Sequence, residues 1–96
     1  MPRNIIKFNS DGDRLDCALD VGGLWKNFTP KNLVRVKVAT TEAKVLFFTK
    51  KVEALEMYDK GDSDPYVMNS KKTEEYEWAK GVVKSFCEKN KIPFEE

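Results

Sequence analysis

The chain has 96 residues, of which 41% are hydrophobic and 34% are charged, with a formal net charge of +1. A chain of this length forms one domain with a small core, so we expect a single domain over residues 1–96. The composition is that of a globular protein and not of a disordered one, and without a run of eighteen apolar residues we expect no transmembrane helix.

The residue types that most often carry catalysis are scarce. Histidine, the commonest general base and metal ligand, is absent. Cys17 and Cys87 are too few for a disulfide scaffold, and we expect both to be reduced and buried. The alternative is a disulfide between the first hairpin and the last helix. No apolar signal segment opens the chain. We therefore expect a cytoplasmic, non-enzymatic protein without cofactor or metal.

Charge is segregated along the chain. Residues 26–51 carry seven basic side chains and one acidic one, whereas residues 52–78 carry eight acidic and three basic ones. Such segregation predicts one positive and one negative surface, and either could attract a macromolecular partner.

Residues 5–18 have the pattern of a β-hairpin whose two-residue turn is Asp11-Gly12. The acidic residues near this turn lack the glycine that a calcium loop requires at its sixth position, so we interpret them as a solvated turn. The turn fixes a register, since each residue of one strand then faces a defined residue of the other. The expected pairs are Ser10–Asp13, Phe8–Leu15, Lys7–Asp16 and Ile6–Cys17, with Ile6, Phe8, Leu15 and Cys17 on the core face.

The segment 21–33 interrupts the strand pattern with two glycines, which permit a sharp turn or a bulge. Large hydrophobic side chains beneath such a loop are expected to fill the core. These are Leu24, Trp25 and Phe28, and an exposed Trp25 that serves as a binding anchor is the alternative.

Residues 33–48 are the most strand-like stretch of the chain. Their middle lacks Gly and Asn, so a four-residue loop over Thr40–Ala43, built on a type I turn, is predicted. The resulting register separates two faces. The expected core face consists of Val34, Val36, Val38, Val45 and Phe47. The opposite face combines basic, aliphatic and aromatic side chains, namely Leu33, Arg35, Lys37, Lys44, Leu46 and Phe48.

The segment 49–60 is ambiguous. Val52, Leu55 and Tyr58 recur every three residues before Gly61, which favours a short helix, and a continuation of the strand is the alternative. Residues 66–68 are expected to form a short edge strand or to fill the core.

A C-terminal helix is predicted from a cap at Ser70 to about Asn90. Helical spacing places one apolar stripe on its core face. The stripe consists of Tyr76, Ala79, Val83, Phe86 and Cys87. Trp78 lies off this stripe, so it either covers a loop or forms an exposed apolar anchor.

These elements predict an α+β fold in which two antiparallel β-hairpins, expected in one four-stranded sheet, pack against a C-terminal α-helix, with a short intervening helix. A small, strongly curled partial barrel capped by the helix is the alternative.

The function expected from these features is that of a small non-catalytic binding protein, of the regulator or inhibitor type. It would dock onto a macromolecular partner, in the first place a protein, through a basic-aromatic hairpin face or an acidic helical face. The alternative is nucleic-acid binding through the same hairpin face, although the near-neutral net charge argues against it. Self-association is left open, and no membrane partner is expected. The expected partner-binding residues are Arg35, Lys37, Lys44, Leu46, Phe48 and Trp78.

Overall fold

The computed structural model describes residues 4–11, 13–71 and 73–96, and shows two β-sheets with one C-terminal helix. The first sheet has the order β1-β2-β3 and is antiparallel throughout. Its strands are β1 (Ile5–Asp11), β2 (Arg14–Leu19) and β3 (Trp25–Phe28).

The second sheet has the order β6-β5-β4-β7 and is antiparallel except that β7 runs parallel to β4. Its strands are β4 (Leu33–Val45), β5 (Phe48–Asp59), β6 (Tyr66–Asn69) and β7 (Phe94–Glu95), and the helix α1 (Thr73–Asn90) lies between β6 and β7 in the chain. The predicted α+β class with antiparallel sheets and a C-terminal helix is confirmed. The predicted single four-stranded sheet is replaced by two sheets, because β3 extends the first hairpin into a sheet of its own.

The first hairpin forms as predicted but in a register shifted by two residues. Phe8 lies opposite Cys17 and Lys7 opposite Ala18, so the predicted Lys7–Asp16 pair does not form. The predicted turn included Gly12, which lies outside the described residues. A shift of two residues preserves the faces of a strand, and Phe8, Leu15 and Cys17 are indeed buried.

Ile6 was predicted in the core and is instead half exposed. The pairing of β1 with β2 is irregular between Ile5 and Lys7, so Ile5 occupies the core position and Ile6 turns outward. Leu24 and Trp25 are half exposed as well, whereas Phe28 is fully buried. Of the three hydrophobic residues expected beneath the loop, only Phe28 is in the core.

One hydrophobic core joins the two sheets and α1. The predicted helical stripe is confirmed, because all five of its residues are buried. Each large side chain removed from water contributes roughly 1.5–3 kcal/mol before the entropy of ordering is counted. The sheets contribute Ile5, Phe8, Leu15, Cys17, Phe28, Leu33, Val36, Leu55, Met57 and Met68 to this core.

Cys17 and Cys87 are both buried and form no disulfide with each other, as predicted. Burial raises the pKa of Cys17 to about 12 and that of Cys87 to about 11. Because the thiolate is the reactive form of cysteine, both thiols are held in their unreactive state at neutral pH.

The second hairpin differs most from its prediction. β4 runs straight through the predicted loop at Thr40–Ala43, and the chain reverses only at Leu46 and Phe47. The predicted helix over residues 49–60 is strand β5, the alternative considered for this segment. The uninterrupted β4 follows from a middle segment that contains no glycine, proline or asparagine to break the strand.

Candidate protein-binding arm

The β4–β5 hairpin extends well beyond the strands that flank it. β7 pairs with β4 only at Val36 and Lys37, and β6 pairs with β5 only from Ala54 to Met57. Residues 39–52, which we call the arm, therefore form a ribbon of only two strands. With seven residues from Ala39 to Val45, the arm is about 20 Å long.

The end of the arm carries three consecutive large hydrophobic residues that face solvent. The exposed fraction is 84% for Leu46, 93% for Phe47 and 68% for Phe48. Together they present roughly 450 Å² of apolar surface, an area comparable with a functional patch on a small protein. We call these three residues the tip.

The tip closes the hairpin through a two-residue turn in which Leu46 has a φ angle of +59°. A positive φ at the first central residue alone is the pattern of a type II′ turn, which favours glycine at this position. Leucine in this left-handed region costs about 1–2 kcal/mol. The chain thus places a large hydrophobic side chain where backbone energetics favour glycine.

The apolar side of the hairpin changes face between its base and the arm. At the base, after the irregularity that follows Leu33, the core-facing side chains of β4 are Val36 and Val38, at even positions. In the arm, the apolar side chains of β4 are Ala43 and Val45, at odd positions, although the pairing is regular from Arg35 to Val45. Since alternate residues of a strand point to opposite faces, the apolar face of the arm lies opposite the face that packs into the core.

The arm is bordered by basic side chains. Lys44, Lys50 and Lys51 are exposed on both of its strands, with Glu42 as its one acidic residue. Within residues 4–11, 13–71 and 73–96, no carboxylate forms an ion pair with these lysines. Glu42 lies directly opposite Lys51, so three lysines and one glutamate leave the arm with a net charge of +2, and Lys44 and Lys50 lie closest to the apolar tip.

The structure separates the predicted binding residues along the hairpin, although Arg35, Lys37 and Phe48 share one face of it. Arg35 and Lys37 lie at the base of the hairpin, with Lys37 opposite Glu56. The Arg35 guanidinium stacks 4.1 Å from the centre of the Tyr58 ring and lies 3.9 Å from the Glu95 carboxylate. The predicted compact basic-aromatic surface does not form, because moving the turn from residues 40–43 to 46–47 puts Lys44 on the other face and separates Arg35 and Lys37 from Phe48 by about eight residues of strand.

The other predicted residues of the hairpin belong to the arm. Leu46 lies in the turn, Phe48 lies on the apolar face, and Lys44 lies on the opposite face. Phe47 was predicted in the core, yet it is the most exposed of the large hydrophobic residues in the described part of the chain. The sequence signal for it was weak, because neither Leu46 nor Phe47 is a typical turn residue.

Trp78 lies on a different surface. It is half exposed on α1 and makes an edge-to-face contact with Phe8, with ring centres 5.9 Å apart. The groove beside it contains Gly81 and Phe86 and is shallow and open. Trp78 is therefore half exposed on a separate surface and does not belong to the arm.

Much of the acidic segment has internal partners. Glu53 accepts hydrogen bonds from Tyr76 Oη at 2.8 Å and from Lys80 Nζ at 2.9 Å, which lower the pKa of its carboxyl group below the ordinary value. Asp59 forms a 2.6 Å ion pair with Lys26. Glu74 and Glu75 lie in the first turn of α1, where negative charge complements the helix dipole. Several residues of the predicted acidic face therefore stabilise the fold itself, which accounts for their charge without a partner protein.

In the described part of the chain, no group of three or more His, Cys, Asp or Glu side chains is arranged to hold a metal ion. α1 is too polar to span a bilayer, and no other helix among these residues qualifies as a membrane span.

Comparison of this chain with protein-family models, with curated proteins and with solved structures finds no match in any of the three.

Proposed function

We propose that this chain is a small non-catalytic binding protein, of the regulator or inhibitor type, that docks onto another protein through its arm. The observation that carries the proposal is the exposed tip, Leu46 to Phe48, at the end of a two-stranded ribbon. Solvent-exposed aromatic residues cost free energy in the isolated protein, and they dominate the energetics of protein interfaces once they are buried.

The chemistry of the arm favours an apolar pocket with an acidic rim as the surface of the partner. Full burial of each tip side chain would contribute roughly 1.5–3 kcal/mol, which must offset the cost of association. Lys44, Lys50 and Lys51 would meet the acidic rim, where such charges chiefly raise the association rate and the specificity.

Nucleic acid remains the second candidate, and the geometry supports it less. The predicted platform required Arg35, Lys37 and Phe48 on one face, but Arg35 is partly neutralised by Glu95 at the base of the hairpin. The arm itself carries only three lysines and no arginine. Such a small basic area would give weak binding that is strongly dependent on salt.

A non-catalytic role is consistent with the state of the reactive groups. Both thiols are buried, with pKa values raised by that burial. Glu53, whose carboxylate is held ionised by Tyr76 and Lys80, is engaged in structure. We place the protein in the cytoplasm, where its two unpaired thiols would stay reduced.

Site-specific photo-crosslinking tests the proposal. A photoreactive phenylalanine analogue replaces Phe47 in the protein expressed in its native host. The matched control carries the analogue at Leu24. This residue is also exposed, but it lies in the loop before β3. We expect one dominant adduct between position 47 and a protein other than this chain, absent from position 24 and suppressed by excess unlabelled wild-type protein but not by excess Phe47→Glu.

Equal labelling from both positions would overturn the proposal. An adduct from position 47 that nuclease removes would favour the nucleic-acid alternative instead.

A further inference from the structure

The outer edge of β4 is unpaired along the arm. At the base, Val36 N–H donates to Pro93 C=O at 3.0 Å, which shows that even-numbered residues of β4 direct their backbone groups away from β5. The backbone direction alternates along a strand. Thr40, Glu42 and Lys44 therefore direct their N–H and C=O groups toward the edge, and β7, whose last paired residue lies opposite Lys37, ends before it reaches them.

This edge is suited to pairing with another strand. From Val38 to Val45 it contains no proline or glycine, and its pairing with β5 is regular, without a bulge. Natural proteins usually protect an exposed edge strand with a proline, a bulge or a charged side chain such as lysine. Only Lys44 serves that purpose here, and Glu42 lies two residues before it on the same face of the strand.

The spacing of Glu42 and Lys44 makes the edge complementary to itself. If a second copy pairs antiparallel with Ala43 opposite Ala43, then Glu42 of each copy lies opposite Lys44 of the other. Both residues direct their backbone groups outward, so these two pairs also form the hydrogen-bonded positions of the ladder. On the apolar face, Thr41 of each copy lies opposite Val45 of the other.

Neighbouring registers lack this complementarity. Centring the pair on Glu42 would place two carboxylates opposite each other, and centring it on Lys44 would do the same for two ammonium groups. Like charges in directly opposite positions are destabilising. Centring on Thr41 would place Val38 opposite Lys44 and form no ion pair.

We propose that two copies of this chain associate through the edge of β4 in the arm, antiparallel and in register, about a two-fold axis at Ala43. The assembly joins the two arms into a four-stranded sheet, a closed and isologous arrangement. It uses the same arm as the proposed function but does not depend on it.

The size of the contact is adequate for a reversible dimer. The tip of each copy would reach the segment near Ala39 of the other, which β7 leaves uncovered because it ends opposite Lys37. Leu46 and Phe47 continue β4 toward the partner, whereas Phe48 lies on β5, away from the partner's edge. The roughly 900 Å² of tip surface from the two copies is therefore an upper bound. The contact lies below the range for stable interfaces, which begins at about 1,200 Å², as expected of a reversible dimer.

Cysteine scanning along the arm tests the register. Native Cys17 and Cys87 are buried in the core, so a thiol engineered into the arm reports without them. Position 43 is only 7% exposed in the single chain, and oxidation is therefore followed until the yield is constant. Single cysteines replace Ala39, Thr41, Ala43 and Val45, and the purified proteins are oxidised and analysed by non-reducing electrophoresis. Only Ala43→Cys is expected to form a disulfide dimer in high yield, because its Cα would lie about 4.5 Å from its counterpart. Ala39→Cys is the matched control, since its counterpart would lie about 26 Å away.

Charge exchange tests the ion pairs without a cysteine. We expect Glu42→Lys and Lys44→Glu each to weaken dimerisation about tenfold in sedimentation equilibrium, since each removes two attractive pairs and opposes like charges. The double exchange Glu42→Lys/Lys44→Glu is expected to recover most of the lost association, although position 42 then places a like charge opposite Lys51 of its own chain.

A wild-type protein that stays monomeric at millimolar concentration would overturn the proposed dimer. So would a disulfide that forms equally well at position 41 or 45, or a double exchange that fails to restore association. In each case, an adduct from position 47 with a different protein would still support the proposed docking function.

Discussion

Leu46 adopts a backbone conformation that leucine ordinarily avoids. Its φ angle is +59° and its side chain is 84% exposed. Neither packing nor backbone energetics accounts for leucine at this position. Strained residues of this kind cluster at functional sites, which supports the assignment of the tip to binding.

Leu46→Gly separates stability from binding. Glycine relieves the backbone strain at this position, which stabilises the folded state, but it also makes the unfolded chain more flexible, which opposes folding. We therefore expect the free energy of unfolding to stay unchanged or to rise by up to about 1 kcal/mol. Urea denaturation provides the measurement, and the crosslink from position 47 should weaken in the same variant. The comparison is Leu55→Ala in the core, for which we expect a loss of about 2–5 kcal/mol. A comparable loss for Leu46→Gly would show that Leu46 is structural.

Glu53 makes stability depend on pH. Hydrogen bonds from Lys80 and Tyr76 lower its pKa below the ordinary value of 4.5. A carboxyl group whose pKa is lower in the folded state contributes stability above its unfolded pKa, and this contribution is lost as the pH falls through the folded pKa.

Glu53→Gln should therefore flatten the acid limb of the stability curve. We expect wild-type stability to fall more steeply than that of the variant as the pH decreases below about 4.5. Urea titrations between pH 7 and pH 2.5 measure the difference. Glu88→Gln, which removes an exposed carboxylate on α1, serves as the control. Parallel curves for wild type and Glu53→Gln would contradict the role of this cluster.

At the scale of elements, the β4–β5 hairpin divides into a buried base and a solvated arm. Val36 at the base is fully buried, and Val45 in the arm is only partly buried. We expect Val36→Ala to cost about 2 kcal/mol, from lost burial and an unfilled cavity, and Val45→Ala to cost less than about 1 kcal/mol. Equilibrium unfolding in urea compares the two truncations, and equal costs would mean that the arm packs as tightly as the base.

The sequence predicted those elements best in which local pattern and tertiary packing agree. The stripe of α1 follows one helical period, and each of its residues is buried. The first hairpin kept its core face despite a shifted register, because a shift of two residues leaves the alternation unchanged. The same alternation could not reveal that Ile6 turns outward at the irregularity beside Ile5.

The second hairpin was mispredicted for a specific physical reason. The apolar side chains change face within β4, from Val38 to Ala43, and such a change is ordinarily produced by a loop or a bulge. Here the strand continues, and the change of face marks the beginning of the arm. In β5, the spacing of Val52, Leu55 and Tyr58 imitated a helix, although Val52 belongs to the arm and Leu55 to the core.

At the scale of the whole molecule, the body is held together without the arm. The core joins both sheets to α1, and Lys26 of β3 reaches Asp59 of β5 across the two sheets. The same ammonium lies 5.4 Å from the ring centres of Phe28 and Tyr66. This partly buried pair combines charge attraction with two cation–π contacts.

Replacing residues 42–51 by Asn-Gly should therefore leave the body folded. Thr41 and Val52 pair in β4 and β5, so the two-residue turn would close the shortened hairpin in its native register. We expect circular dichroism to show a cooperative melt within a few degrees of wild type, together with the loss of dimerisation and of the crosslink. A variant that fails to fold would show that the arm is part of the core structure.

The change of face along β4 also bears on how such a protein could evolve. Side chains of the arm lie outside the core, so substitutions there escape most of the constraints that fix the sequence of the body. A new partner could be acquired by changing a short, contiguous stretch of chain while the fold stays the same. Transplanting a different hairpin end onto this base should then redirect recognition, and the body would serve as a scaffold for interchangeable binding loops.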